Sequence, residues 1–121
     1  MRELIFSQGS MELHDLVLNK RIQDIQDTGE TVICNVVTKY DTHNGYHVTA
    51  DSFTSLELAQ NHLKKSFDRI SIEWINNSGK DKDFIDQLKK ESRYIIENNY
   101  AYLDLEGEKI SIYVTVTNLV K

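Results

Sequence analysis

Residues Tyr100 to Val116 constrain this chain more than any other stretch, because they specify their own strand register. A two-residue turn at Glu106-Gly107 sets Leu105 opposite Glu108, Asp104 opposite Lys109, Leu103 opposite Ile110 and Tyr102 opposite Ser111. Ala101 then meets Ile112, and Tyr100 meets Tyr113. One face becomes Ala101, Leu103, Ile110 and Ile112, while the other carries an ion pair and an aromatic pair. A slip of one residue would mix the two faces, so the turn and the side-chain pattern agree. A hairpin with one dry side needs a layer packed on it, which implies a compact domain with a sheet.

A chain of 121 residues forms one domain, spanning 1–121, large enough to bury about two thirds of its unfolded surface. Gly9-Ser10 directly precedes a second methionine, Met11, so residues 1–10 read as an extension or expression remnant; Leu4, Ile5 and Phe6 equally suit a first edge strand. Cys34 is the single cysteine, which rules out an internal disulfide framework and suits a reducing compartment. No apolar run approaches the roughly 20 residues a membrane helix needs, and no leader pattern is present, so a cytoplasmic protein is expected.

The remaining elements follow from periodicity. Leu13, Val17, Leu18, Ile22 and Ile25 predict a helix from Met11 to about Gln26, with Gly29 placed to cap it; two short strands are the competing assignment. Thr31 to Tyr40 and Tyr46 to Phe53 predict a hairpin turning at Asn44-Gly45, which would set Val36 opposite Phe53 and Thr42 opposite His47. The tip of that hairpin is mixed polar and aromatic, and is expected to project. Thr54-Ser55-Leu56-Glu57 reads as a capping box opening a helix whose stripe is Leu56, Ala59, Leu63 and Phe67. Alternation of Ile70, Ile72 and Trp74 with Ser71 and Glu73 then predicts a strand. A third helix is predicted from Asp81 to about Glu97, with Phe84, Ile85, Leu88, Ile95 and Ile96 inward. The expected class is α+β, a mostly antiparallel sheet of two hairpins plus a further strand packed by two to three helices.

Chemistry is sparse. A net charge of −5 and only short lysine pairs argue against a nucleic-acid binder, which uses a basic face to neutralise phosphates. His43 and His47 are the nearest histidine pair, but they fall on opposite strand faces with no second Cys/His pair to complete a zinc site, so no metal and no cofactor is expected. Cys34 lies inside an apolar strand run, where a thiol is an inert hydrophobe. There is no Gly-x-Ser-x-Gly elbow, Walker-type loop or dinucleotide fingerprint. Asp51 lies four residues beyond His47 on one predicted face, a pair that suggests base chemistry yet has no accompanying nucleophile. No catalytic residue is assigned, and a non-enzymatic protein is expected.

Recognition remains. Tyr40, Tyr46, Tyr100, Tyr102 and Tyr113 fall at sheet positions near a polar face, and tyrosine offers a rigid apolar body with a polar tip. The contact residues expected are Tyr40, His43, Tyr46 and His47 at the hairpin tip, and Tyr100, Tyr102 and Tyr113 unless the first helix covers them. The reading is a binding protein acting on a protein partner by contact. Lysine in excess of arginine, nine asparagines and no proline suit a phage or mobile-element inhibitor or adaptor that occupies a surface of a host protein. The alternative is an oligomeric protein that sequesters a nucleotide-like or anionic small molecule, with Arg69 and Arg93 as anion contacts. A homo-oligomer is compatible with both, since exposed sheet edges invite pairing.

Overall fold

The structure is a computed structural model that describes residues 8–119. Its order is α1 (Gln8–Asp27), β1 (Thr31–Thr42), β2 (Gly45–Phe53), α2 (Leu56–Ser78), α3 (Lys82–Lys90), β3 (Tyr94–Ile96), β4 (Tyr100–Leu105) and β5 (Glu108–Leu119). The five strands form one antiparallel sheet in the order β2-β1-β5-β4-β3, so the chain is a single α+β domain. The proposed edge strand at Leu4–Phe6 lies outside the described residues.

The C-terminal hairpin pairs as its sequence requires, from Leu105 opposite Glu108 to Tyr100 opposite Tyr113. Glu106 and Gly107 have φ of 54° and 86°, the two positive values that a type I′ turn demands. β5 continues the apolar alternation with Val114 and Val116 and lies at the centre of the sheet, against β1 on its other side.

The first hairpin keeps its predicted faces but slips by two residues. Val36 pairs with Asp51 and Tyr40 with His47, and Thr42 closes the loop against Gly45. The turn therefore lies at His43-Asn44, one position earlier than predicted. The cause is local: Thr42 Oγ1 accepts from Asn44 N (3.2 Å) and donates to Gly45 O (3.2 Å), so a hydroxyl organises the corner. Only Gly45 has positive φ there, whereas a type I′ turn at Asn44-Gly45 would need two such residues. The tip does not stand free. His43 N approaches Glu108 Oε1 (3.4 Å), which ties it to the second turn.

The predicted strand at Ile70–Trp74 is wrong; α2 runs unbroken to Ser78 and ends at Gly79 with φ 69°. Ala59, Leu63, Phe67, Ile70 and Trp74 continue one helical stripe, with Ile70 5% exposed and Ile72 59% exposed. Over five residues the periods 2 and 3.6 overlap, and the longer stripe decides. The capping box also fails: Ser55, not Thr54, is the N-cap, accepting from Leu58 N at 3.1 Å. The third helix stops at Lys90 instead of Glu97 because Ser92 takes φ 58°, and Ile95 and Ile96 then extend in β3. The strand expected before α3 is thus found after it.

The core is one cluster. Cys34 and Val36 of β1, Ala101, Leu103 and Leu105 of β4, and Ile110, Ile112, Val114 and Val116 of β5 face one side of the sheet. Onto it pack Ala59, Leu63, Phe67 and Ile70 of α2, Leu88 of α3, and Leu18 and Ile25 of α1. Where β5 outruns β4, α1 covers the free edge: Arg21 Nε donates to Val116 O at 3.2 Å. Asn99, 6% exposed, ties the layers together by donating to Asp15 of α1 (3.0 Å) and accepting from Gln60 of α2 (2.8 Å).

Candidate functional site

The core side chains of all three helices pack on one face of the sheet, which leaves most of the other face uncovered. Registers turn that second face into rows. Ala50, Val37, Tyr113 and Tyr100 form one row across four strands, and Val48, Lys39, Ser111, Tyr102 and Ile95 form the next. At one end Tyr46, Asp41, Lys109 and Asp104 set a lysine between two acids; at the other stand Ser52, Asn35 and Thr115. Alternation alone produces this arrangement, because successive side chains of a strand point to opposite faces.

The rows are knitted by polar contacts. Ser52 Oγ donates to Asn35 Oδ1 (2.8 Å), and Asn35 Nδ2 donates to Thr117 Oγ1 (3.2 Å), a chain of side chains across three strands. Lys39 Nζ lies 5.2 Å from the centroid of the Tyr113 ring, and its ammonium is favoured first by hydrogen bonding to Tyr113, which raises its pKa. Aromatic and aliphatic bodies, with Lys39 and Ser111 among them, therefore occupy the middle of a platform whose margins are polar or charged.

Helix α1 covers one corner. His14 meets the rings of Tyr100 and Tyr113 edge-on, each with centroids 6.4 Å apart. Tyr100 is consequently 2% exposed, and burial pushes its hydroxyl pKa well above the usual tyrosine range. Tyr102 and Tyr113 stay half-buried on the platform, and Tyr46 is 60% exposed at its margin. The tyrosine face is thus covered at Tyr100, flanked by His14 at Tyr113 and half-buried at Tyr102.

The hairpin-tip residues do not form one group. Tyr40 points to the helix side, half-buried against the core, with its pKa raised by burial and lowered in part by Arg69. His47 is its exposed strand partner. His43 sits in the turn and lines an open cleft of about 370 Å³ with Trp74, Asn77, Ser78, Leu105, Glu106 and Glu108. Arg69 is exposed on α2 beside Tyr40. Arg93 is engaged by Glu91 (3.2 Å) and Asp104 (3.6 Å), so its guanidinium already has two carboxylates.

Between β2 and α2 the structure reveals a contact the sequence did not suggest. Asp51 lies 3.2 Å from His62 Nε2, not beside His47, and Ser66 Oγ lies 3.4 Å from the same nitrogen. A serine-histidine-aspartate relay needs the serine and the acid on different ring nitrogens, so this trio does not carry one. Cys34 is 2% exposed and burial raises its pKa, which disfavours the reactive thiolate. Among the described residues no group of three or more potential ligands is placed to hold a metal ion, and no helix is long and apolar enough to cross a membrane.

No family model matches this chain, and neither the curated proteins nor the solved structures include a match to it.

Proposed function

We propose that this chain is a non-enzymatic binding protein that acts by contact, docking the uncovered face of its sheet on a protein partner. One observation supports this reading most: the core side chains of three helices pack on one face, while the other, met by α1 at His14, presents Val37, Tyr102 and Tyr113 between polar margins. Tyr46 extends the same surface toward the first hairpin tip. The aromatic bodies offer apolar area at low side-chain entropy, and Lys39, Ser111 and the Asp41-Lys109-Asp104 row offer direction and register. A cytoplasmic inhibitor or adaptor encoded by a phage or mobile element, occupying a surface of a host protein, is the setting we infer; the buried free thiol and the lysine- and asparagine-rich, proline-free composition support it. The sequestration alternative is less favoured, because Arg93 is committed to Glu91 and Asp104.

Site-specific photocrosslinking in the native host tests the reading. A photoreactive residue replacing Val37, at the centre of the platform, is expected to give one discrete adduct heavier than two copies of this chain. The same residue replacing Ile72, exposed on α2, serves as the control. Equal adducts from both positions, or none from Val37, would remove the proposal.

A further inference from the structure

Every sheet has two outer edges, and this fold adds a third where β5 outruns β4. Two are managed. β3 is only three residues long, and Arg21 of α1 occupies the Val116 carbonyl on the overhang of β5. The edge formed by β2 is different. It runs nine residues, Gly45–Phe53, and its first eight are exposed. It carries no proline and no lysine, and its pairing among the described residues is with β1 alone. Long, flat edges without such devices pair with other strands.

We propose that two copies of this chain join through β2, antiparallel across a two-fold axis, to make one continuous ten-stranded sheet. Alternate residues of an edge strand turn their backbone groups outward, so self-pairing about a two-fold joins residues of equal parity. Three central registers satisfy this, with Val48, Thr49 or Ala50 opposite its own copy. Thr49 is the midpoint of Gly45–Phe53, so that register alone pairs the whole strand. It also sets His47 opposite the partner's Asp51, twice by symmetry, and Val48 opposite the partner's Ala50. Tyr46 then meets the partner's Ser52. The other two registers place His47 against threonine or phenylalanine and leave Asp51 opposite glycine or threonine.

Length and charge therefore select the same register. Asp51 is the only acid of the strand, and an inward acid on an edge ordinarily deters pairing. Here it meets a histidine from across the axis while its other side already faces His62 of its own chain at 3.2 Å. The docking face described above would continue across the junction, since Tyr46, Val48, Ala50 and Ser52 lie on it. The dimer stands on the β2 edge alone and does not depend on that face having a partner.

Analytical ultracentrifugation together with zero-length cysteine crosslinking tests the arrangement. The wild-type chain is expected to sediment as a dimer that dissociates on dilution. Thr49→Cys should oxidise to a covalent dimer, whereas Val48→Cys and Ala50→Cys should each fail alone and link when mixed. Native Cys34, 2% exposed, does not compete. Asp51→Lys should weaken the dimer about tenfold, from two lost cross-strand pairs. Exchanging the two residues, His47→Asp with Asp51→His, should restore it. A chain that stays monomeric at every concentration overturns the proposal. So does a dimer that links through Val48→Cys or Ala50→Cys alone, which would mean another register, or through none of the three, which would mean another surface. Loss of the Val37 adduct with dimerisation intact would instead count against the docking face only.

Discussion

Ile70 and Ile72 separate a strand from a helix with two substitutions. In a strand they share a face and would cost about the same to truncate. In α2 they lie about 200° apart, with Ile70 5% and Ile72 59% exposed. Truncating Ile70 to alanine removes three carbons from the core, roughly 2.4 kcal/mol at about 0.8 kcal/mol per methylene-sized group. A residual cavity beside Phe67 and Trp74 adds about 1 kcal/mol, and the better helix propensity of alanine returns about 0.4 kcal/mol, for a net of about 3 kcal/mol. Truncating Ile72 forfeits less than half of that transfer term, on the order of 1 kcal/mol. The better helix propensity of alanine returns about 0.4 kcal/mol. The net cost is therefore about 0.5 kcal/mol. For 121 residues an unfolding entropy of about 0.25 kcal/mol per degree converts these to losses of about 12 °C and about 2 °C in Tm. Urea titrations should show the same contrast in midpoint with an unchanged slope. Equal losses at the two positions would refute the helical account of α2.

Two further predictions concern stability. Ser55→Ala should cost about 1 kcal/mol by removing the acceptor for Leu58 N, while Thr54→Ala should be nearly neutral; the reverse order by thermal melting would restore the capping box. Tyr100 and Cys34 both have pKa values raised by burial, so the folded state holds their protons more tightly than the unfolded chain. Their contribution is fully present below the unfolded values, about 10 for tyrosine and about 8.5 for cysteine, and is lost as pH climbs from there toward the folded values. Urea midpoints should accordingly fall from about pH 9 upward, and more shallowly in Tyr100→Phe; a flat profile to pH 11 would contradict the burial of both groups.

Legibility in the sequence varied with how many constraints met at one place. Between Tyr100 and Val116 a glycine turn, an apolar alternation and an ion pair all demanded one register, and that register is found. At Asn44-Gly45 the turn dipeptide stood alone, and Thr42, which offers its hydroxyl to the corner, moved the pairing by two residues. The stretch Ile70–Trp74 was too short to distinguish its period, and nothing local marked Ser92 as the break between α3 and β3. The platform residues Tyr102 and Tyr113 could be read from the alternation of β4 and β5. The burial of Tyr100 could not, since it depends on where α1 lies. The contact between His62 and Asp51 joins an edge strand to a helix, a juxtaposition that neither element encodes alone.

The place of β5 has a consequence for synthesis. It is the last-made strand of the sheet and also the middle one, wedged between β1 and β4. As the chain leaves the ribosome, the β1–β2 hairpin and the β3–β4 pair emerge without the element that joins them, and α1 emerges before the carbonyl that Arg21 will hold, 95 residues later. Neither pair has its central sheet neighbour until β5 arrives, although the helices that pack on them are already made. A chain interrupted before Glu108 would thus hold two strand pairs without the strand that bridges them.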